Sequence, residues 1–186
     1  MDRDGGNPRP LTTDNKFENN WAHYTPDAKS IIYQRSRTGG EQRLWKMPAE
    51  GGPSRQITSS TCTLPAVSER DGTIACWYTN DDSKPEWQIG IFSAEGGRPL
   101  KTFPLPPSVS VQSAPRWSPD GRAVHYIDNR GGSSNIWSQP VDGSSARPLT
   151  DFKTGLIFSF AWARDGRLAY SRGIQTADVV LIKETN

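Results

Sequence analysis

Long apolar runs are missing from this 186-residue chain, which excludes a membrane-spanning helix, since that would need about 20 consecutive apolar residues. Sustained apolar spacing at three and four residues is missing too, and 17 Gly and 15 Pro interrupt the sequence too often for long helices. No single sign of charge dominates: the net charge is +2, both signs are interspersed, and beyond the close pair Arg35 and Arg37 no basic stripe builds up. Nucleic acid is therefore not an expected partner. Only two cysteines occur, Cys62 and Cys76, and they fit neither a metal pattern nor a disulfide framework; Cys76 is expected as a buried free thiol.

Chemistry-bearing groups are scarce. There are two histidines: His23 before a turn phrase, and His125 alternating with Val124 and Tyr126 in a strand pattern. Neither has a local partner for a Ser–His–Asp arrangement, and with the two cysteines at unrelated spacings they argue against zinc. The oxygen-rich stretches Asp2-Arg3-Asp4-Gly5-Gly6 and Asn80-Asp81-Asp82 lack the alternating ligands and final glutamate of an EF-hand loop. No phosphate-cradling glycine loop leads into a helix. The nearest approach to a nucleophile elbow, Gly131-Gly132-Ser133-Ser134-Asn135, has Asn135 where the last glycine is required. The expectation is a chain without catalytic residues, metal or cofactor.

What is present is repetition. The phrase Arg116-Trp117-Ser118-Pro119-Asp120-Gly121-Arg122 returns in altered form as Tyr24-Thr25-Pro26-Asp27-Ala28-Lys29, Val67-Ser68-Glu69-Arg70-Asp71-Gly72 and Trp162-Ala163-Arg164-Asp165-Gly166-Arg167. Aligned on Trp117 the copies begin at 24, 67, 117 and 162, so their spacings are 43, 50 and 45. A second phrase keeps a fixed offset: Trp45 precedes Thr58 by thirteen residues, and Trp137 precedes Thr150 by the same thirteen. Turn residues lie between, Glu50-Gly51-Gly52 and Asp142-Gly143, and Glu95-Gly96-Gly97 repeats that turn. A period in the forties with a turn signature predicts an all-β propeller with about four four-stranded blades.

Turn chemistry explains the recurring letters. Pro119 presets φ for a type I turn, Asp120 tolerates the next position, and Gly121 takes the left-handed one. Each Asp is expected to accept backbone N–H bonds and not to act in catalysis. Ala28 stands where the other copies have glycine; a left-handed Ala28 would cost roughly 1 kcal/mol, and a different turn is the alternative. In the second copy Asp71-Gly72 is displaced by one residue, which predicts a different turn type.

The period divides the chain into residues 14–58, 59–103 and 104–150 as blades, with a partial blade at 151–186. Within the last, strands are expected around Phe160–Trp162, Leu168–Ser171 and Val179–Ile182. Residues 1–13 read as an outer strand. Either they join the last blade and close a four-bladed ring, or the chain is part of a larger propeller; an open ring leaves unpaired edges through which copies could associate. The structural repeat residues are then Tyr24, Asp27, Trp45, Trp117, Pro119, Asp120, Gly121, Trp137, Trp162, Asp165 and Gly166. Among them Trp45, Trp117, Trp137 and Trp162 are expected as wedge-filling core between blades. Trp21, Trp77 and Trp87 fit the repeat less well, and one of them is a candidate for a binding surface.

These repeats resemble the WD-like propeller repeat of the TolB family, whose hallmark is the W-S-P-D-G turn. Related blades occur in the non-catalytic propellers of prolyl oligopeptidase and dipeptidyl peptidase relatives. The C-terminal half, through Ser134-Asn135-Ile136-Trp137-Ser138-Gln139-Pro140, Leu149-Thr150-Asp151-Phe152 and Ser171-Arg172-Gly173, is similar to propeller tails of bacterial sensor proteins. In those a protein kinase or winged-helix DNA-binding domain precedes the propeller. No kinase loop motif and no hydrolase elbow occurs in this chain.

The resemblance implies a non-catalytic module for binding a protein or peptide, or for scaffolding. The alternative is the propeller part of a larger enzyme or sensor: an accessory of an α/β-hydrolase peptidase, or the tail of a kinase or transcription regulator. Propeller sites usually lie at the channel mouth where inner strands begin, which nominates Asn19, Asn20, Thr63, Gln112, Ser113 and Lys153 as polar binding residues. The resemblance suggests the periplasm, whereas Met1-Asp2-Arg3-Asp4-Gly5 is not a signal peptide. Membrane insertion is not expected.

Overall fold

The structure is a computed structural model that describes residues 5–14, 16–37, 40–80, 82–163 and 165–176. Short β-branched and aromatic runs bounded by turn residues become fourteen strands among the described residues. They form antiparallel sheets in simple meander order. The first sheet contains β1 (Glu18–Tyr24), β2 (Ser30–Ser36), β3 (Gln42–Pro48) and β4 (Arg55–Gln56). The second contains β5 (Thr61–Val67), β6 (Ile74–Thr79), β7 (Gln88–Ser93) and β8 (Gly96–Pro104). The third contains β9 (Arg116–Trp117), β10 (Ala123–Asp128), β11 (Asn135–Pro140) and β12 (Arg147–Pro148). A fourth sheet has two described strands, β13 (Leu156–Trp162) and β14 (Leu168–Gly173). The strand expected at 179–182 lies outside the described residues.

Consecutive sheets stack face to face like blades. Ile32, Leu44 and Ile57 of the first sheet meet Cys62, Ile74, Cys76 and Phe92 of the second. The opposite face of the second sheet, with Leu64, Trp77, Ile89 and Ile91, packs on Val124 and Tyr126 of the third. Ile127 and Ile136 of the third meet Ile157 and Phe160 of the fourth. The protein is an all-β propeller, and among the described residues its sheets do not close into a ring.

The repeated turn sets the geometry at one end of each inner strand. Ala28 and Gly121 donate their N–H groups to the carbonyls of Thr25 and Ser118, and Gly166 does the same to Ala163. Ala28 adopts φ 56°, beside 67° at Gly121 and 82° at Gly166, so the alanine copy keeps the left-handed turn. In the second copy Gly72 N–H reaches back four residues to the Ser68 carbonyl, a wider turn that accommodates the displaced Asp71-Gly72 pair. Asp27, Asp71, Asp120 and Asp165 accept the backbone N–H groups of Lys29, Thr73, Arg122 and Arg167. The Ser118 hydroxyl and the Arg122 amide hold the Asp120 carboxyl below its usual range.

Three expectations need correction. Residues 5–13 form no strand. Pro8 and Pro10 have no N–H for a ladder; Leu11 instead covers Ile31, Tyr33 and Met47 of the first sheet, and Arg9 pairs with Glu50. Cys62 and Cys76 are not free thiols: they are joined in a disulfide, on adjacent strands with Cα atoms 5.7 Å apart. A β-bulge between Thr63 and Ala66 sets the register that brings them onto one face. Trp117 and Trp137 do pack against the core between the second and third sheets and Trp45 against Ile31, Tyr33 and Met47, but the repeat tryptophans are only half-buried, and Arg35 covers the Trp45 ring while Arg130 covers that of Trp137, at 4.5 and 3.7 Å from the ring centroids. Trp77, which fitted the repeat poorly, is the fully buried one.

Candidate functional site

Trp117 and Trp162 hold neighbouring blades together and thereby shape a cavity. The Trp117 indole Nε1 donates to the Ala66 carbonyl in the second sheet at 3.0 Å. Trp162 Nε1 donates to His125 Nδ1 in the third sheet at 2.8 Å. Trp117 and Trp162 thus each latch their inner strand onto the preceding blade. Tyr24, the first copy, makes no such latch among the described residues and is 62% exposed.

The residue immediately before each latch position lines a cavity of about 580 Å³: His23, Ala66, Arg116 and Ala161. Inner strands from all four sheets end here, and the turn residues Ser68, Glu69, Arg70, Ser118 and Pro119 form the rim. Ala66 and Ala161 leave room, whereas His23 and Arg116 bring nitrogen donors. Arg116 has no carboxylate partner among the ion pairs of the described residues, and burial alone lowers its pKa; with an ordinary value above 12 it stays charged. The pKa of His23 is lowered by burial first and by the nearby Arg116 charge second, while its bond to the Pro65 carbonyl opposes both. The cavity thus holds the half-buried guanidinium of Arg116, an imidazole whose affinity for a proton is reduced, and indole walls, with the exposed Arg70 at its rim.

The six sequence candidates lie elsewhere. Thr63 is buried and donates to Gln34 Oε1 at 2.8 Å. The same oxygen receives the Leu64 N–H, fastening the bulge where Leu64 takes a φ of 53°. Asn20 pairs with Gln34 across the ladder, and Asn19 accepts from Arg35 Nε at 2.9 Å. Thr63 pairs across its own ladder with Trp77, whose indole donates to the Ser113 carbonyl. Asn19, Asn20, Thr63 and Ser113 are therefore linked through Gln34 and Trp77 on the inner strands and the loop before β9. Gln112 is exposed beside Ser113, and Lys153 is exposed and paired with Asp151. None of the six lines the 580 Å³ cavity.

The sequence held a usable clue to the cavity. Once the repeats are aligned on the aromatic, the preceding position reads His, Ala, Arg, Ala. Alternation along a strand places that residue on the face opposite its neighbour, so a latch turned toward the preceding blade turns its predecessor away from it. Trp21 is a further channel-strand feature: it occupies a bulge of β1, adopts φ 56° and is 46% exposed. Among the described residues no cluster of acidic, His and Cys side chains could hold a metal.

Comparison with known proteins places this geometry. No family model matches the chain. An uncharacterised protein of Agrobacterium fabrum, Atu1656, is 26% identical over 153 residues, 81% of this chain and 50% of the relative. The match therefore spans half the length of that relative. The uncharacterised peptidase YuxL of Bacillus subtilis is 40% identical over 53 residues, 28% of this chain and 8% of that protein. Among solved structures, TolB from Acinetobacter baumannii superposes with a TM-score of 0.68 at 20% identity, over 95% of this chain and 43% of TolB. A puromycin-hydrolysing peptidase of Mycobacterium tuberculosis superposes with a TM-score of 0.66 at 19% identity, over 93% of this chain and 31% of the peptidase. The fold is that of a TolB-like propeller, and the chain corresponds to part of one.

Proposed function

We propose that this chain is a non-catalytic propeller module that binds a protein or peptide segment in the cavity lined by His23, Ala66, Arg116 and Ala161. One observation carries the reading: repeat-equivalent positions from four sheets converge on about 580 Å³ of space, a size ordinary for small-ligand recognition. Both histidines serve structural contacts, His23 with the Pro65 carbonyl and His125 with the Trp162 indole, which supports a binding role over hydrolysis. A photo-crosslinking residue at Ala161 captures bound peptides, and the same residue at Gln112 does not. Equal capture at both positions would overturn the site, and peptide or ester turnover by the pure chain would overturn the non-catalytic reading.

A second reading is favoured by the 53-residue segment that is 40% identical to a peptidase: the module is the propeller part of a larger enzyme, where its cavity presents a substrate segment. Adding a separately expressed hydrolase domain from the same source would then produce turnover that neither part has alone. The disulfide between Cys62 and Cys76 supports work in an oxidising compartment for either reading.

A further inference from the structure

The geometry points to a carboxylate on the bound peptide as the group this cavity recognises, with Arg116 as its anchor and the Trp117 and Trp162 rings as walls for the neighbouring apolar atoms. The inference rests on the peptide-binding reading and adds the chemistry of the occupant. A guanidinium held partly out of water without a counter-ion loses hydration and regains little, so an anion entering the cavity restores what is missing. In every ion pair of a described arginine elsewhere in the chain, the partner carboxylate comes from the protein itself: Arg9 with Glu50, Arg43 with Glu41 and Asp82, Arg55 with Glu95, Arg130 with Asp128, Arg167 with Asp165. Arg116 forms no such pair among the described residues, and unlike the exposed Arg70 it lines the cavity half-buried.

The rest of the lining selects a monoanion with an apolar body over a phosphate. A phosphate dianion calls for several cations or a nest of backbone N–H groups. Here His23 is kept neutral by burial and by Arg116 itself. Arg70 stands at the exposed rim, where its charge acts on Asp71. Ala66, Ala161 and the two indoles offer contact to hydrocarbon. The planar fork of Arg116 suits a carboxylate in a two-bond arrangement. That carboxylate has two possible sources, a peptide C-terminus or an Asp or Glu side chain.

Three peptide sets separate these outcomes by tryptophan fluorescence titration of the full chain: free C-termini without acidic residues, amidated peptides containing Asp or Glu, and amidated neutral peptides. One or both carboxylate sets bind, and Arg116→Gln weakens that binding roughly tenfold or more while the neutral set stays weak. The set that binds identifies the source. Equal binding of the neutral set, or carboxylate binding untouched by Arg116→Gln, would sink the inference and leave the peptide-binding reading standing; no binding by any set would remove both. Tighter binding of inorganic phosphate than of either carboxylate set would also overturn the assignment. Should Arg116→Gln fail to fold, Ala161→Glu supplies an internal carboxylate across the cavity from an exposed position, and it gives the same loss.

Discussion

The second and fourth sheets come from the same repeat, and their surroundings differ completely. Every residue of β6 is buried, because the first sheet covers one face of the blade and the third covers the other. In the fourth sheet Ile157 and Phe160 pack on the third, but Phe158 is 52% exposed, and even Tyr170, the cross-strand partner of Phe160, is 46% exposed. A propeller blade thus owes half of its burial to each neighbour, and a blade with one neighbour has half a core. Interior repeats are held from both sides; terminal ones depend on whatever covers them.

The sharpest way to break this comparison is to remove one large side chain from each sheet. Trp77→Ala empties the seam between the second and third sheets, where Trp77 is fully buried and meets Tyr126 edge to face. The expected loss is about 3–5 kcal/mol, measured as a lowered denaturant midpoint at unchanged slope. Phe158→Ala in the fourth sheet should cost less than about 0.5 kcal/mol. Similar losses from the two would mean that something covers the fourth sheet in solution.

Next in size is the disulfide, which also belongs to the second sheet. It closes a loop with a sequence separation of 14, so the double variant Cys62→Ala/Cys76→Ala should lose about 2–4 kcal/mol. A reductant should move the wild-type unfolding midpoint by a similar amount and leave the double variant where it is. No shift with reductant would mean that the interior blade does not rely on its cross-link.

How much of this was legible beforehand depends on the kind of interaction. Local turn chemistry was readable, because Asp120 and Gly121 act within a few residues of each other. The wider turn at Ser68–Gly72 was also readable, from a one-residue displacement. Pairings across strands were not. The cysteines looked unrelated because their register depends on a bulge at residues 63–66, and no spacing rule reveals a bulge. Trp45 and Trp137 were expected as core because their repeat equivalence was visible, whereas the guanidiniums that cover them come from elsewhere, Arg35 from β2 and Arg130 from the 3-10 turn after β10. The six candidate residues were chosen where inner strands begin, whereas the cavity lies where they end, and the position before Trp117 and Trp162 was the signal for it.

The seam between the interior and the terminal blade can be probed by pH. His125 is 5% exposed and accepts the Trp162 indole N–H. Burial lowers its pKa from the ordinary 6.5 to about 4, with the Asp120 charge opposing weakly. Between those values the unfolded chain binds a proton that the folded chain refuses. Stability is therefore complete above the unfolded value and falls as the pH drops from about 6.5 toward 4, by at most about 1.4 kcal/mol per pH unit from this group. His125→Asn keeps an acceptor for the indole without titrating in this window, so its stability profile should be flatter there. An equally steep profile would place the acid sensitivity elsewhere.

The finest test compares the same turn at interior and terminal positions. Gly121 and Gly166 have φ of 67° and 82°, so alanine at either carries a left-handed cost of roughly 1 kcal/mol. At Gly121 the added methyl also comes 3.1 Å from Arg70 Cδ in the second blade, whereas at Gly166 it meets nothing within 4 Å. Gly121→Ala should therefore cost more than Gly166→Ala, by whatever displacement of Arg70 requires. Ala28 already bears this strain at φ 56°, and Ala28→Gly should raise stability by about 0.5 kcal/mol, since relief of strain slightly exceeds the added freedom of the unfolded chain. Equal losses at 121 and 166 would show that Arg70 yields freely, and a loss at Ala28→Gly would mean that the first turn is not left-handed in solution.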